Sequence, residues 1–331
     1  MIHMKKLNNL HFCNTMLEKI IYLLTAQGES NMIIKLRVLK LRAIFKAEDS
    51  GELPAFLGST IRGVLGHSMR NSVCVNPNVR CYVCEFANSC KYTAYFSTAG
   101  NIAGSVNPFT IYIPLQNKTN WERGDLLTFD ITAFGHAALA ADFYIDGILR
   151  MGEYGWGARR LKFSPVQIIN VYDQSLIWSD DEIWTQNFRH HLIRTKSRET
   201  NSVLLRFNSP TRVVIKQKLQ KRLTFEHIIK SILTRIRLLL HAYEDVVLNW
   251  NETEILKIAK EIETIEENWQ FIDFKRYSHT RQGKLGLPSI KGYARFKGNI
   301  TPFTPLLEIG KIIQIGKNTT HGFGNYDLYY V

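Results

Sequence analysis

The sequence predicts an α+β protein built from two halves of similar order. Three observations point to it: short runs in which apolar residues alternate with period two, apolar positions at helical spacing between those runs, and a glycine-rich turn between the last helix and last strand of each half. In the first half, 33–46 (IIKLRVLKLRAIFK) alternates apolar and basic positions over most of its length, as a half-buried strand does. The stretch 53–69 reads as a loop and a helix, with Phe56, Leu57, Ile61, Val64 and Leu65 at helical spacing. Strand-like runs follow at 109–115 and 126–134, then an apolar helix over about 136–151. The turn Gly152-Glu-Tyr-Gly-Trp-Gly-Ala-Arg159-Arg160 leads into a strand at 161–171. Strand, helix, strand, strand, helix, strand is the split β-α-β order of a ferredoxin-like fold.

The pattern then repeats. A strand at 202–214 precedes an amphipathic helix at 225–243 and an acidic helix at 253–266; strands at 269–276 and 290–296, a helix at 305–313, a glycine loop and a strand at 326–331 complete the half. Polar and charged residues fill 173–200, which reads as a linker with room for a short hairpin. The expected division is therefore an extension over 1–31, a domain over 32–180 that carries a cysteine-rich insertion at 74–90, a linker over 181–200 and a second domain over 201–331.

Charge narrows the class of partner. The 42 Lys and Arg against 29 Asp and Glu leave a net charge of +13, which favours a polyanion such as nucleic acid; a solvated basic surface is the bland alternative. No apolar run approaches the ~20 residues that span a bilayer, and the N-terminal stretch is too polar for a signal peptide, so a cytoplasmic protein without a membrane partner is expected.

The last turn, Gly316-Lys317-Asn318-Thr319-Thr320-His321-Gly322-Phe323-Gly324, places three glycines in nine residues around a lysine, two threonines and a histidine. Glycines let backbone approach a ligand closely and present N–H donors to phosphate. The turn matches neither a Walker loop nor a dinucleotide fingerprint, because it precedes a strand; an ordinary tight helix-to-strand connection remains open. Aromatics and cations flank both turns: Tyr154, Trp156, Phe323 and Tyr326, with Arg159, Arg160 and Lys317. Bases stack on aromatics and cations hold an RNA backbone, although core packing is the competing reading for each ring.

Five cysteines, an odd number in a chain with no export signal, argue against a disulfide framework. Cys74-x6-Cys81-x2-Cys84-x5-Cys90 supplies four soft thiolates in one short segment, the donor set of a structural zinc site. An iron–sulfur cluster uses the same ligands, and reduced unligated thiols are the remaining reading.

Four segments in order carry a resemblance: LPAFLGSTIRGVLGHSMR, GEYGWGARRLKF, FKRYSHTRQGK and GYARFKGNITPFTPLLEIGKIIQIGKNTTHGFGNYDL. Together they resemble the CRISPR repeat endoribonucleases of the RAMP superfamily. The resemblance implies two tandem ferredoxin-like (RRM-like) domains that bind CRISPR repeat RNA across their shared surface, with contacts from Arg159, Arg160 and the loop residues Gly316, Lys317, Asn318, Thr319, Thr320, Gly322, Phe323 and Gly324. It also implies cleavage of precursor transcripts into guide RNAs by a ribose 2′-hydroxyl, without a catalytic metal, and delivery of the guide to an effector complex. That chemistry asks for a base, an acid and cations against the phosphorane, and histidine suits the first two roles. His67 is the first candidate, since similar enzymes place a catalytic histidine late in the first helix. Arg62 and Arg70 accompany it, Arg70 at a spacing that shares its helical face, and His321 is the second histidine. Two alternatives stand beside this reading: a non-catalytic RAMP subunit that holds guide RNA in an effector complex, and an adaptor that uses its cysteines to bind protein or DNA.

Overall fold

The computed structural model describes residues 31–97, 106–114, 118–278 and 283–331. The expected N-terminal extension, with Cys13, therefore lies almost wholly outside the described residues. The first sheet is organised around β1 (Asn31–Ala47), whose Leu39, Leu41, Ala43 and Phe45 are buried while Arg42 and Lys46 turn to the other face. With β2 (Phe109–Tyr112), β3 (Leu126–Phe134) and β4 (Leu161–Asn170) the antiparallel order is β2–β3–β1–β4. This is the ferredoxin-like permutation expected for the first half. Two helices cover one face: α1 (Gly58–Val73) and α2 (Ala141–Leu149). Ile61, Leu65 and Met69 of α1 and Phe143, Tyr144 and Ile148 of α2 share one core with Phe45, Phe129, Trp156 and Phe163. Each such side chain removed from water stabilises the fold by about 1.5–3 kcal/mol before entropy is counted. Ser68 Oγ donates to the Gly147 carbonyl at 2.6 Å and fastens the two helices.

The second sheet repeats the permutation. β8 (Ser202–Thr211), β9 (Glu263–Ser278), β10 (Gly283–Lys297) and β11 (Asp327–Tyr330) run in the order β9–β10–β8–β11, again second, third, first, fourth. Its main helix α3 (Phe225–Glu244) begins in a capping box between Thr224 and His227 and buries Ile228, Ile229, Ile232, Ile236 and Leu239 at helical spacing. After it come α4 (Glu252–Ala259) and α5 (Thr304–Ile313). β9 and β10 pair from Glu263↔Lys297 to Ser278↔Gly283, whereas β8 reaches β10 only as far as Ile290. The rest of that hairpin projects past the sheet.

Two expectations are corrected. The acidic helix predicted to 266 ends at Ala259, and Glu263, Glu266 and Glu267 belong to β9, where Glu263 faces Lys297 and Glu266 faces Arg295. Opposite charges across a ladder stabilise a strand that local propensity reads as helix. The stretch predicted as a linker over 181–200 is largely built into the first sheet. β5 (Ser175–Ser179) pairs β4, β6 (Glu182–Ile183) pairs β5, and β7 (His191–Lys196) pairs the first half of β1 with Ile33 opposite Arg194. Its alternation, with Ile193 buried between exposed Leu192 and Arg194, is too polar to announce a strand without the edge it fills.

The domains are joined through packed interior. Ile34, Leu36 and Val38 of β1 and Ile193 of β7 belong to the same core as α3 and α5 of the second domain. Arg37 adds an ion pair to Glu244 at the end of α3, donating from its backbone N–H at 2.7 Å and from Nε at 3.1 and 3.0 Å to the two carboxylate oxygens.

Candidate nucleic-acid interface

The C-terminal glycine loop begins where α5 stops. Gln314 turns the chain with φ 59°, the Ile315 N–H donates to the Gly324 carbonyl at 3.0 Å, and the Lys317 and Gly324 N–H groups donate to Arg212 and Pro210 at 2.8 and 2.9 Å, tying the loop to the end of β8. Gly324 sits at φ +79°, where a Cβ would stand 1.9 Å from the Ile315 carbonyl oxygen, so only glycine closes the turn. The second half of the loop then enters the junction between the domains. Phe323 is fully buried, with its ring 5.7 Å from Phe56 of the first domain and 5.4 Å from Phe274 of β9. The His321 carbonyl lies so close to the start of α1 that a Cβ on Gly58 would stand 1.9 Å from it.

This placement divides the residues predicted to hold RNA. Gly316, Lys317 and Asn318 form the outer, solvent-facing part, whereas Thr319, Thr320, Gly322, Phe323 and Gly324 are buried. Phe323, named as an RNA contact with core packing as its competing reading, takes the packed place: the ring is a wedge between domains. Trp156 and Tyr326 are likewise buried, and of the four flanking aromatics Tyr154 keeps a partly open face. Arg159 and Arg160 are exposed, with Arg159 Nη2 3.0 Å from the exposed Glu52 carboxylate.

The candidates on α1 point to three different surroundings. Arg62 Nε donates to Thr320 Oγ1 at 3.1 Å, and its guanidinium lies 5.0 Å from the centre of the Phe96 ring. Arg70 donates to the Pro77 and Val79 carbonyls at 2.8 and 3.0 Å, which commits it to the cysteine segment. His67 is exposed; its ring lies 6.3 Å from that of Tyr154 in a stacked arrangement, and Asn71 Nδ2 donates to the Tyr154 hydroxyl at 2.8 Å. His321 is only 7% exposed and touches the beginning of α1, nine residues before His67, or roughly 13 Å along a helix that rises 1.5 Å per residue. The structure therefore does not gather His67, Arg70 and His321 into one cluster. It brings His67 to Tyr154 and Asn71, a grouping the sequence left unstated because Tyr154 is more than eighty residues away.

Beside the loop is a cavity of about 670 Å³ between α3, the 213–216 turn and the first domain. Arg62, Lys317, Asn318, Thr319, Thr320 and His321 line it, as do three cations that sequence reading passed over: Lys216, Lys230 and Arg235. Arg235 is 7% exposed and donates from Nε to the Ile313 carbonyl at 2.6 Å; burial lowers its pKa to about 10, which keeps it charged at neutral pH. The available signal was the polar stripe Lys230, Ser231, Thr234, Arg235 in a helix that is otherwise apolar on its inner face. On the first sheet, by contrast, Lys40 and Arg42 are already paired with the buried Asp130 at 3.1 and 2.8 Å.

Cys74, Cys81, Cys84 and Cys90 line a single second cavity, and burial pushes the Cys81 thiol pKa up. The donor chemistry suits zinc, but the arrangement does not: among the described residues no three His, Cys, Asp or Glu side chains stand together as a metal site.

Residues 205–326, covering the second domain with its glycine loop, match the family model of the CRISPR-associated endoribonuclease Cas6. Through its second domain the chain is similar to the Cas6 endoribonucleases. Residues 36–196 match a further family model described as an N-terminal domain. Solved structures agree on the fold. Thermus thermophilus Cas6 superposes with a TM-score of 0.53 at 13% identity over 89% of this chain and 100% of its own, and a Cas6 product complex gives 0.54 at 13% identity with the same coverage. A chain of a partial Cas6-RT-Cas1–Cas2 complex gives 0.57 at 14% identity over 89% of this chain, which spans 46% of that longer protein. At such identities the likeness establishes tandem ferredoxin-like domains, as the sequence predicted. No curated protein matches the chain. Among the described residues no helix is long and apolar enough to cross a membrane.

Proposed function

We propose that this protein is a CRISPR repeat endoribonuclease of the Cas6 kind, which binds CRISPR repeat RNA and cuts precursor transcripts into guide RNAs without a catalytic metal. The 2′-hydroxyl at the cut site loses its proton to a base and its oxygen bonds to the adjacent phosphorus. The bond to the 5′-oxygen breaks as an acid delivers a proton to that leaving group, and a 2′,3′-cyclic phosphate remains. The observation that carries this reading is the solvent-facing His67 on α1, stacked beside Tyr154 and backed by Asn71. His67 exchanges the proton, and the Tyr154 hydroxyl lies within reach of the same phosphate. The outer loop residues Gly316, Lys317 and Asn318 hold the backbone, and Arg159 and Arg160 on the other turn extend the basic surface. Arg62 and His321 act at the loop rather than at the bond that breaks. The product guide passes to an effector complex.

The test is cleavage of a repeat RNA from the protein's own locus in EDTA by wild type and His67→Ala, with a deoxyribose at the scissile nucleotide as the control. Wild-type product that disappears with the deoxy substrate and falls in His67→Ala supports the mechanism; full-rate cutting by His67→Ala removes the catalytic assignment. One observation favours a second reading, a guide-holding subunit that does not cut: the other predicted catalytic groups, Arg70 and His321, stand apart from His67. Binding without product decides for it.

A further inference from the structure

The cavity beside the C-terminal loop gathers cationic groups with no carboxylate among its described lining residues. We propose that it receives one whole nucleotide of the bound transcript, turned out of the strand with its phosphate on the cationic floor and its base along the apolar wall. The idea deepens the function above, since it rests on the protein binding RNA.

Five features of the cavity lead to this. Its volume of about 670 Å³ falls in the range that encloses small ligands. Arg62, Lys216, Lys230, Arg235 and Lys317 contribute cationic groups, and among the described residues no carboxylate lines it. Arg235 is decisive: its side chain is more than nine-tenths buried in the cavity wall, Nε is satisfied by Ile313, and Nη2 finds no acceptor among the described residues. A buried charged donor without an acceptor is costly, and a guanidinium fork matches the oxygens of a phosphate, so an anion is the partner this pocket lacks. Val106, Val213 and Leu238 supply apolar surface against which a base can lie. Lys317 and Asn318 belong both to the cavity lining and to the solvent-facing tip of the loop, so a strand crossing the tip passes the cavity mouth. Sequence-specific RNA recognition works on bases splayed out of the stack, which is the geometry such a pocket accepts.

The experiment uses the full chain and its own repeat RNA with 2-aminopurine placed at one position at a time. Binding to wild type is expected to raise fluorescence at a single position, where the base leaves its stack. Lys230→Glu reverses a charge at the rim, and Thr234→Trp fills the space; both positions lie outside the core. Each variant should abolish that rise and weaken RNA binding about tenfold, the loss of one charge-assisted contact, while melting at the wild-type temperature. No position that responds, or RNA affinity and cleavage unchanged in both variants, overturns the cavity assignment and leaves the endoribonuclease reading intact. Wild type that binds no repeat RNA overturns both. AMP serves as the free probe: competition with RNA supports the shared site, whereas saturable AMP binding that leaves RNA affinity unchanged assigns the cavity to a free nucleotide and overturns its use for the transcript.

Discussion

The two glycine turns have similar composition and opposite fates. In the first, 152–160, the tight contacts stay inside one domain: a Cβ on Gly157 would meet only the end of Leu53, and one on Gly155 would meet Arg160 of the same turn. Trp156 anchors it in the core while Tyr154, Arg159 and Arg160 keep access to solvent. In the second, 316–324, Gly316 and Gly324 close against Arg212 and Ile315 of their own domain, but His321, Gly322 and Phe323 cross to the other, at Gly58 and Phe56 of the first half, and all but the tip is buried. One turn is a surface held by its own domain; the other is a wedge that holds two domains together and leaves only Lys317 and its neighbours to a ligand. Glycine content by itself does not separate a binding loop from a joint.

That contrast can be broken most forcefully at its aromatic pivot. Phe323→Ala should cost about 3–5 kcal/mol of stability, as the removal of a buried ring does, whereas Tyr154→Ala should cost less than about 1 kcal/mol; urea unfolding measures both, and equal losses would mean that the two turns do the same work. Next in size, Gly324→Ala forces a left-handed backbone and a clash with the Ile315 carbonyl, for an expected loss of about 2–4 kcal/mol. Gly157→Ala shares the left-handed strain, at φ +70°, but meets only a movable leucine end, and should lose about 1–2 kcal/mol under the same measurement. Arg37→Ala tests whether the wedge acts alone at the junction: it leaves the nearly buried Glu244 carboxylate without its guanidinium and should cost about 1.5–3 kcal/mol, with the two halves unfolding over a broader range. The smallest effect belongs to the exposed tip. Lys317→Ala should leave stability unchanged and lower the slope of log affinity against log salt for repeat RNA by about one, the loss of one phosphate contact.

Much of the fold was legible in the residues. The strand expected at 126–134 is Leu126–Phe134, and the helix expected at 225–243 is Phe225–Glu244, because alternation and helical spacing are local properties of chains that bury one face. The helix bearing His67 was legible for the same reason, although its partner Tyr154 was not. β7 and the start of β9 were missed. Their sequences are polar, and what makes them strands is an edge of β1 and the basic face of β10, which lie far away in the chain.

The sequence by itself determined the order of elements, the ferredoxin-like permutation in both halves, the basic charge and the presence of a glycine loop before the last strand. Only the tertiary structure decided that Phe323 faces Phe56 and Phe274, that Arg70 belongs to the cysteine segment, and that Arg235 closes a cationic cavity with no acceptor for Nη2 among the described residues. Periodicity records which face of an element leaves water. Which surface that face then meets depends on how two domains fit, and no run of neighbouring residues encodes it.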